Sequence, residues 1–178
     1  MQRIIQLIKQ DDIRVKALEC VSSLGLPQCY IAAGFIRNLV WDSLHNKQTP
    51  TALNDVDVIY YDANGNNQNK YLEYEARLSV LMPELNWQVR NQANMHLKNG
   101  DKPYLSSIDA MSYWPEKETA LAIRKLESKD YECVSAFGFD SLFDLKLSHN
   151  PKRTKAIFEH RVTSKKWLDY WPKLTLVS

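Results

Sequence analysis

The feature that most constrains the fold of this chain is the run Asp55–Tyr61, DVDVIYY. In an extended segment Val56, Val58 and Tyr60 point one way, and Ile59 and Tyr61 point the other. A strand that is apolar on both faces belongs inside a sheet, covered on both sides. Asp55 and Asp57 stand at the entrance of the Ile59 face. Two carboxylates so placed repel each other, and each loses solvation where it is covered. Either water reaches that end of the strand, or a positive charge sits between them. Isolated acidic pairs of this kind are commonly just a solvated strand face. An interior strand argues against that here, and oxygen donors side by side suit a hard divalent cation, Mg²⁺ or Mn²⁺.

A second group lies upstream. Gly34, 21 residues before Asp55, ends the short apolar segment QCYIAA and is followed by a helical pattern over about Phe35–His45. A strand-to-helix turn leaves backbone N–H groups free at the helix start, and a glycine there lets a phosphate approach the chain. Arg37, one turn in, offers a forked donor for phosphate oxygens. The candidate nucleotide-binding residues are therefore Gly34, Phe35, Arg37 and Asn38, and the candidate metal ligands are Asp55 and Asp57.

Around this pair the chain reads as mixed helix and strand. Ile4, Ile5, Leu7 and Ile8 make one helical face, and the pattern resumes after a cap at Asp11 or Asp12 with Ile13, Ala17, Leu18, Val21 and Leu24 until Gly25 and Pro27 end it. Residues 46–54 form a loop, Asp62–Asn69 a polar turn, and Leu72, Ala76, Ser79 and Val80 the face of a helix that stops at Pro83. NWQVRNQ alternates as a third strand. Ser107–Tyr113 reads as a short helix behind a capping serine, and residues 119–138 as a hairpin turning near Ser128–Asp130. Closing helices run over about Asp140–Leu147 and Lys152–Tyr170. This order predicts one α+β domain over residues 1–178, a small mixed sheet flanked by helices with an added hairpin and C-terminal helices, rather than a doubly wound parallel sheet.

The blocks AGFIRNLVWDSLH, NDVDVIYYD, NWQVRNQANMH, SSIDAMSYWPE and AFGFDSLFDLKL resemble a family of small bacterial nucleotidyltransferase-like proteins. They also resemble the wider nucleotidyltransferase superfamily that includes DNA polymerase beta, poly(A) polymerases and CCA-adding enzymes. The superfamily signature is a hydrophobic residue with Gly-Gly or Gly-Ser, then DxD or DxE on the next strand. The resemblance implies a phosphate anchor at Gly34 and Arg37, metal-binding carboxylates at Asp55 and Asp57, and a nucleoside triphosphate as donor. It also implies transfer of a nucleotidyl group to an acceptor hydroxyl of a small molecule or an RNA. Two positions depart from the signature: Phe35 stands where a second small residue is expected, and WQVRNQ offers Asn91 where a third carboxylate would fall. Asp109 is the candidate substitute, as third ligand or general base, against a plain role at its helix start. Tyr104, Tyr113 and Trp114 are candidates to stack on the base.

Composition separates the alternatives only locally. Three cysteines without ligand spacing disfavour a disulfide scaffold or a structural zinc site. No apolar run approaches the roughly 20 residues of a membrane span, so a cytoplasmic location without a membrane partner is expected. Between Pro151 and Lys173 the local charge is +5, leaving the rest at −3. That segment reads as an amphipathic closing helix, docked by Ile157, Phe158, Val162, Trp167 and Leu168 with its cations solvated, with an RNA-binding helix as the alternative. A nucleotide-binding module without turnover is a further alternative.

Overall fold

Five segments pair into one sheet: Tyr30–Ala32 (β1), Val56–Tyr60 (β2), Trp87–Asn91 (β3), Leu121–Lys125 (β4) and Tyr131–Ser135 (β5). Their spatial order is β3-β2-β1-β4-β5, with β2 and β3 parallel and the other neighbours antiparallel. The α+β class with a mixed sheet is as the sequence indicates. This computed structural model describes residues 1–65, 67 and 69–177. The part of the expected polar turn at Asn66 and Gln68 lies outside the described residues.

The doubly apolar strand is an interior one, β2, between β1 and β3. Its Val56, Val58 and Tyr60 join Ile31, Val89 and Ile123 in the main core, while Ile59 joins Tyr30, Ala32, Met111 and Ala122 on the opposite face. A one-residue slip would turn Asp57 into the main core and three apolar side chains out of it. At roughly 1.5–3 kcal/mol for each fully buried side chain, that fixes the register.

Helices Gln2–Lys9 (α1), Asp12–Ser22 (α2), Gly34–Leu44 (α3) and Lys70–Leu81 (α4) supply the main-core face. Asp11 caps α2 by accepting the Arg14 N–H at 3.0 Å. Ile13, expected on the buried face, is exposed. Arg14 is buried in its stead, its Nε donating to the Phe35 carbonyl at 2.8 Å. On α4 the expected face is also displaced: Leu72 and Val80 are exposed, and Leu78 is buried with Tyr71 and Tyr74 packed beside the core. Glu75 sets that rotation, because its Oε1 accepts the Val89 N–H at 2.8 Å on the outer edge of β3 and Arg90 Nη1 at 2.6 Å.

Three further elements depart from the sequence reading. Gln92–Asn99 is a helix (α5) that begins as β3 ends, where Asn91 accepts the Ala93 N–H. The short helix Ser107–Met111 (α6) follows as expected, with Ser106 as its cap. The first closing helix stops at Phe143 (α7, Asp140–Phe143), because Leu145 takes φ +55° and the chain enters Lys146–Ser148 (β6). The second divides at Lys166, φ +52°, into Lys155–Ser164 (α8) and Trp167–Tyr170 (α9). Thr175–Val177 (β7) then pairs in parallel with β6. Among the described residues no helix is long and apolar enough to cross a membrane, and Cys20, Cys29 and Cys133 are free thiols.

Candidate functional site

The face of the sheet carrying Ile59 is open over β2 and β3, leaving a cleft of about 630 Å³. The cleft is lined by Ala33, Gly34, Arg37 and Asn38 at the turn into α3, by Asp55 and Asp57 on the sheet, and by Ile157 and Arg161 of α8 with Lys165 at its C-cap.

That turn leads from β1 into α3. Ala33 takes φ +53°, ψ −118°, a region that side chains other than glycine rarely enter. Its N–H donates to the Leu121 carbonyl at 3.0 Å, and its carbonyl accepts the N–H groups of Ile36 and Arg37. The N–H groups of Gly34 and Phe35, at the helix start, therefore have no intrahelical acceptor. Phe35 itself is fully buried in the core. Its side chain plays no part in the cleft, and the two small residues at the turn are Ala33 and Gly34 rather than Gly34 and Phe35.

Arg37 is buried, with its Nη2 3.0 Å from Asn38 Oδ1 and its guanidinium 4.7 Å over Trp167 and 5.2 Å over Trp41. Burial pushes its ionisation down to about 10, against the opposing pull of Glu116. Asp55 is exposed, and its Oδ1 accepts from Asn86 Nδ2 at 2.6 Å. Asp57 is half-buried. Loss of solvation, then the charge of Asp55, raise its carboxyl above the usual range, while Arg37, Lys165 and Arg161 oppose the shift.

A nucleotidyltransferase family model matches residues 19–176, nearly the whole chain. The chain belongs to that nucleotidyltransferase family. An NMR structure described as revealing a CCA-adding enzyme head domain is 27% identical, with TM-score 0.86, over 99% of this chain and 95% of the other. A complex of CCA-adding enzyme with CTP is 11% identical, with TM-score 0.61, over 97% of this chain but 43% of that one. A tRNA-processing enzyme is 17% identical, with TM-score 0.53, over 94% of this chain and 43% of that one. The last two share the fold, and this chain spans less than half of their length. No curated protein sequence matches the chain.

For this nucleotidyltransferase-family chain, the fit of a divalent cation rests on the donor set. Asp55 and Asp57 supply carboxylate oxygens on one strand face, and the Asp57 side chain makes no hydrogen bond among the described residues, so its oxygens are uncommitted. Burial next to a like charge is a condition that a bound cation relieves. A third protein ligand is not gathered there: the described residues contain no cluster of three or more His, Cys, Asp or Glu side chains placed for a metal.

Asp109 sits elsewhere. Its N–H donates to Ser106 Oγ at 3.0 Å and its Oδ2 accepts the Leu105 N–H at 2.9 Å. Its carboxylate is thus engaged with the backbone just before α6 and does not line the cleft. The position considered for a third acid, Asn91, is also off the cleft. By strand alternation it shares the face of Trp87 and Val89, and its amide bridges to the backbone of Asp62. On the cleft face of β3 stand Gln88, in register with Asp57, and Arg90, in register with Ile59.

Tyr104, Tyr113 and Trp114 gather at the far end of the cleft, with the two tyrosine rings 5.0 Å apart. Tyr104 is buried and bonded to Asp101 and Asn99, which leaves Tyr113 and Trp114 as the accessible rings. The sequence reading missed Gln88, Arg161 and Lys165 as cleft residues. It left the cations of the closing helix solvated, yet Arg161 and Lys165 line the cleft, while Ile157 and Leu168, expected in the core, are partly exposed. The signal was present, since Ile157, Arg161 and Lys165 recur every fourth residue and so share one helix face.

Proposed function

We propose that the cleft binds a nucleoside triphosphate and transfers its nucleotidyl group to a hydroxyl of a small molecule or an RNA. The observation that carries this reading is the placement of the turn at Ala33–Gly34 and the pair Asp55–Asp57 in one cleft, within a chain of this family. The free N–H groups of Gly34 and Phe35 and the guanidinium of Arg37 would hold phosphate oxygens. Asn38, hydrogen-bonded to Arg37, holds that guanidinium in place. Asp55 and Asp57 would bind Mg²⁺ or Mn²⁺, and such a cation, when bound, supplies positive charge to phosphate oxygens as negative charge shifts onto pyrophosphate.

In the reaction the acceptor oxygen forms a bond to the α-phosphorus. The bond from that phosphorus to the oxygen bridging to the β-phosphate breaks. Its electron pair leaves with pyrophosphate, and the proton of the hydroxyl passes to water. The chain's contribution is placement and charge: the turn holds the phosphates, and the sheet keeps the carboxylates in fixed register. The absence of a third carboxylate beside Asp57 among the described residues equally favours a module that binds nucleotide without turning it over.

The test is pyrophosphate release from each ribonucleoside triphosphate with Mg²⁺, in the presence of tRNA, total RNA or small polyols as acceptors. Release by the wild type that Asp57→Asn abolishes supports transfer. Saturable nucleotide binding with no release under any acceptor supports the binding module.

A further inference from the structure

The cleft has more positive charge facing the aspartates than the signature residues account for. Arg161 of α8 and Lys165, the residue capping its C-terminus, both line the cleft. Arg161 is held by two bonds to Glu116, Nε to Oε1 at 2.6 Å and Nη2 to Oε2 at 3.2 Å. Glu116 has no exposed surface, and its Oε2 also accepts from Thr119 Oγ1 at 3.1 Å. A buried, fully bonded carboxylate is a rigid seat, so Arg161 is fixed instead of sweeping through solvent. Its Nη1 has no partner among the described residues. Lys165 makes no ion pair among them either.

Trp167 ties Arg161 to Arg37. The Arg161 guanidinium lies 5.8 Å from the Trp167 ring centre and that of Arg37 lies 4.7 Å from it. Two guanidiniums lie against one ring; Glu116 bonds Arg161, whereas Arg37 has no carboxylate bonded to it among the described residues, only the charges of Glu116, Asp57 and Glu118 near it. Each cation disfavours the other, and a polyanion between them removes that cost. A monophosphate at the Gly34 turn meets Arg37 alone, whereas a chain of phosphates extends to Arg161 and Lys165 as well.

Resting on the reading of the cleft as a nucleotide site, we propose that Arg161 and Lys165 bind the β- and γ-phosphates of a nucleoside triphosphate, with Glu116 as the residue that positions Arg161. The C-terminal helix is then part of the donor site, and it is what makes the cleft select triphosphates over monophosphates. The competing role for the Glu116–Arg161 pair is structural, as a tie between the segment before β4 and α8.

Binding of the four ribonucleoside triphosphates and their monophosphates to the full-length chain in Mg²⁺, measured by calorimetric titration, separates these roles. Arg161→Gln and Lys165→Gln are each expected to weaken triphosphate binding about tenfold, the loss of one charge-assisted contact, while changing monophosphate affinity less than about twofold. Glu116→Gln is expected to weaken triphosphate binding in the same selective way. Lys165 is exposed, so its variant keeps the test available if either other variant fails to fold. Equal losses for mono- and triphosphates, or no loss, overturn the phosphate assignment while the nucleotide reading of the cleft stands. A wild type that binds neither class overturns both.

Discussion

Asp57 and Gln88 are register partners on adjacent parallel strands, and both line the cleft. Gln88 is thus the β3 position from which a third carboxylate would meet the first two. Replacing it, Gln88→Glu, is expected to tighten Mn²⁺ binding by about tenfold, as an added oxygen ligand with charge does. Asn91→Asp, on the other face of the same strand, is expected to leave Mn²⁺ affinity unchanged. Titration of both variants with Mn²⁺ checks the pair.

The raised carboxyl of Asp57 fixes a sign for pH dependence. Burial and Asp55 disfavour its charged form in the folded chain, so the residue costs stability once it ionises. That cost is absent below the ordinary carboxylate range, grows as pH rises through the interval up to the raised folded value, and is complete above it. Asp57→Asn is therefore expected to raise the unfolding midpoint at pH 7 and to leave it unchanged in strong acid. Mg²⁺ is expected to stabilise the wild type, increasingly as pH rises through the same interval, and not the variant. Thermal unfolding across pH with and without Mg²⁺ reads both.

At the anchor, Ala33 occupies a glycine-like conformation with φ +53°. Ala33→Gly is expected to stabilise the chain by about 0.5–1 kcal/mol, the relief of strain less the extra freedom of the unfolded glycine. Gly34 has no positive φ, and a Cβ there would meet Asn38 at 3.5 Å and Arg37 at 3.6 Å, ordinary contacts. Gly34→Ala is thus expected to fold normally and to weaken nucleotide binding, since its methyl group enters the turn proposed to hold phosphate. Denaturant unfolding and nucleotide titration of the two variants test this contrast.

Asp42 holds the loop that leads into Asp55. It is buried, and its carboxylate accepts from the Thr51 N–H and hydroxyl at 2.7 Å and from Trp171 Nε1 at 2.8 Å. Asp42→Ala strands those donors and is expected to cost roughly 2–4 kcal/mol. Urea unfolding measures the loss.

How far the sequence discloses this arrangement depends on the range of the signal. The interior position of β2 is legible because Val56, Val58, Tyr60 and Ile59 state it within five residues. So is the turn at Gly34, and so is the hairpin of β4 and β5. The break at Lys166 is hidden because it lies in a left-handed residue that nothing in TSKKW demands. The face of α4 is hidden because Glu75 sets it through a bond to β3. Asp109 shows the limit from the other side: a carboxylate in a family-like block binds the backbone just before its own helix. The helix face shared by Ile157 and Arg161 is legible in their spacing, but the bond that fixes Arg161, to Glu116 45 residues away in sequence, is in no local pattern.

The central claim is that Asp55 and Asp57 form a cation site that works together with a nucleotide in the cleft. Electron paramagnetic resonance of Mn²⁺ titrated with the chain, with and without a nucleoside triphosphate, addresses it most directly. The account predicts one bound Mn²⁺ or more whose affinity rises when the triphosphate is present, and loss of that binding in Asp57→Asn. Mn²⁺ binding that is absent, or that is the same in wild type and Asp57→Asn with the nucleotide present, would contradict it.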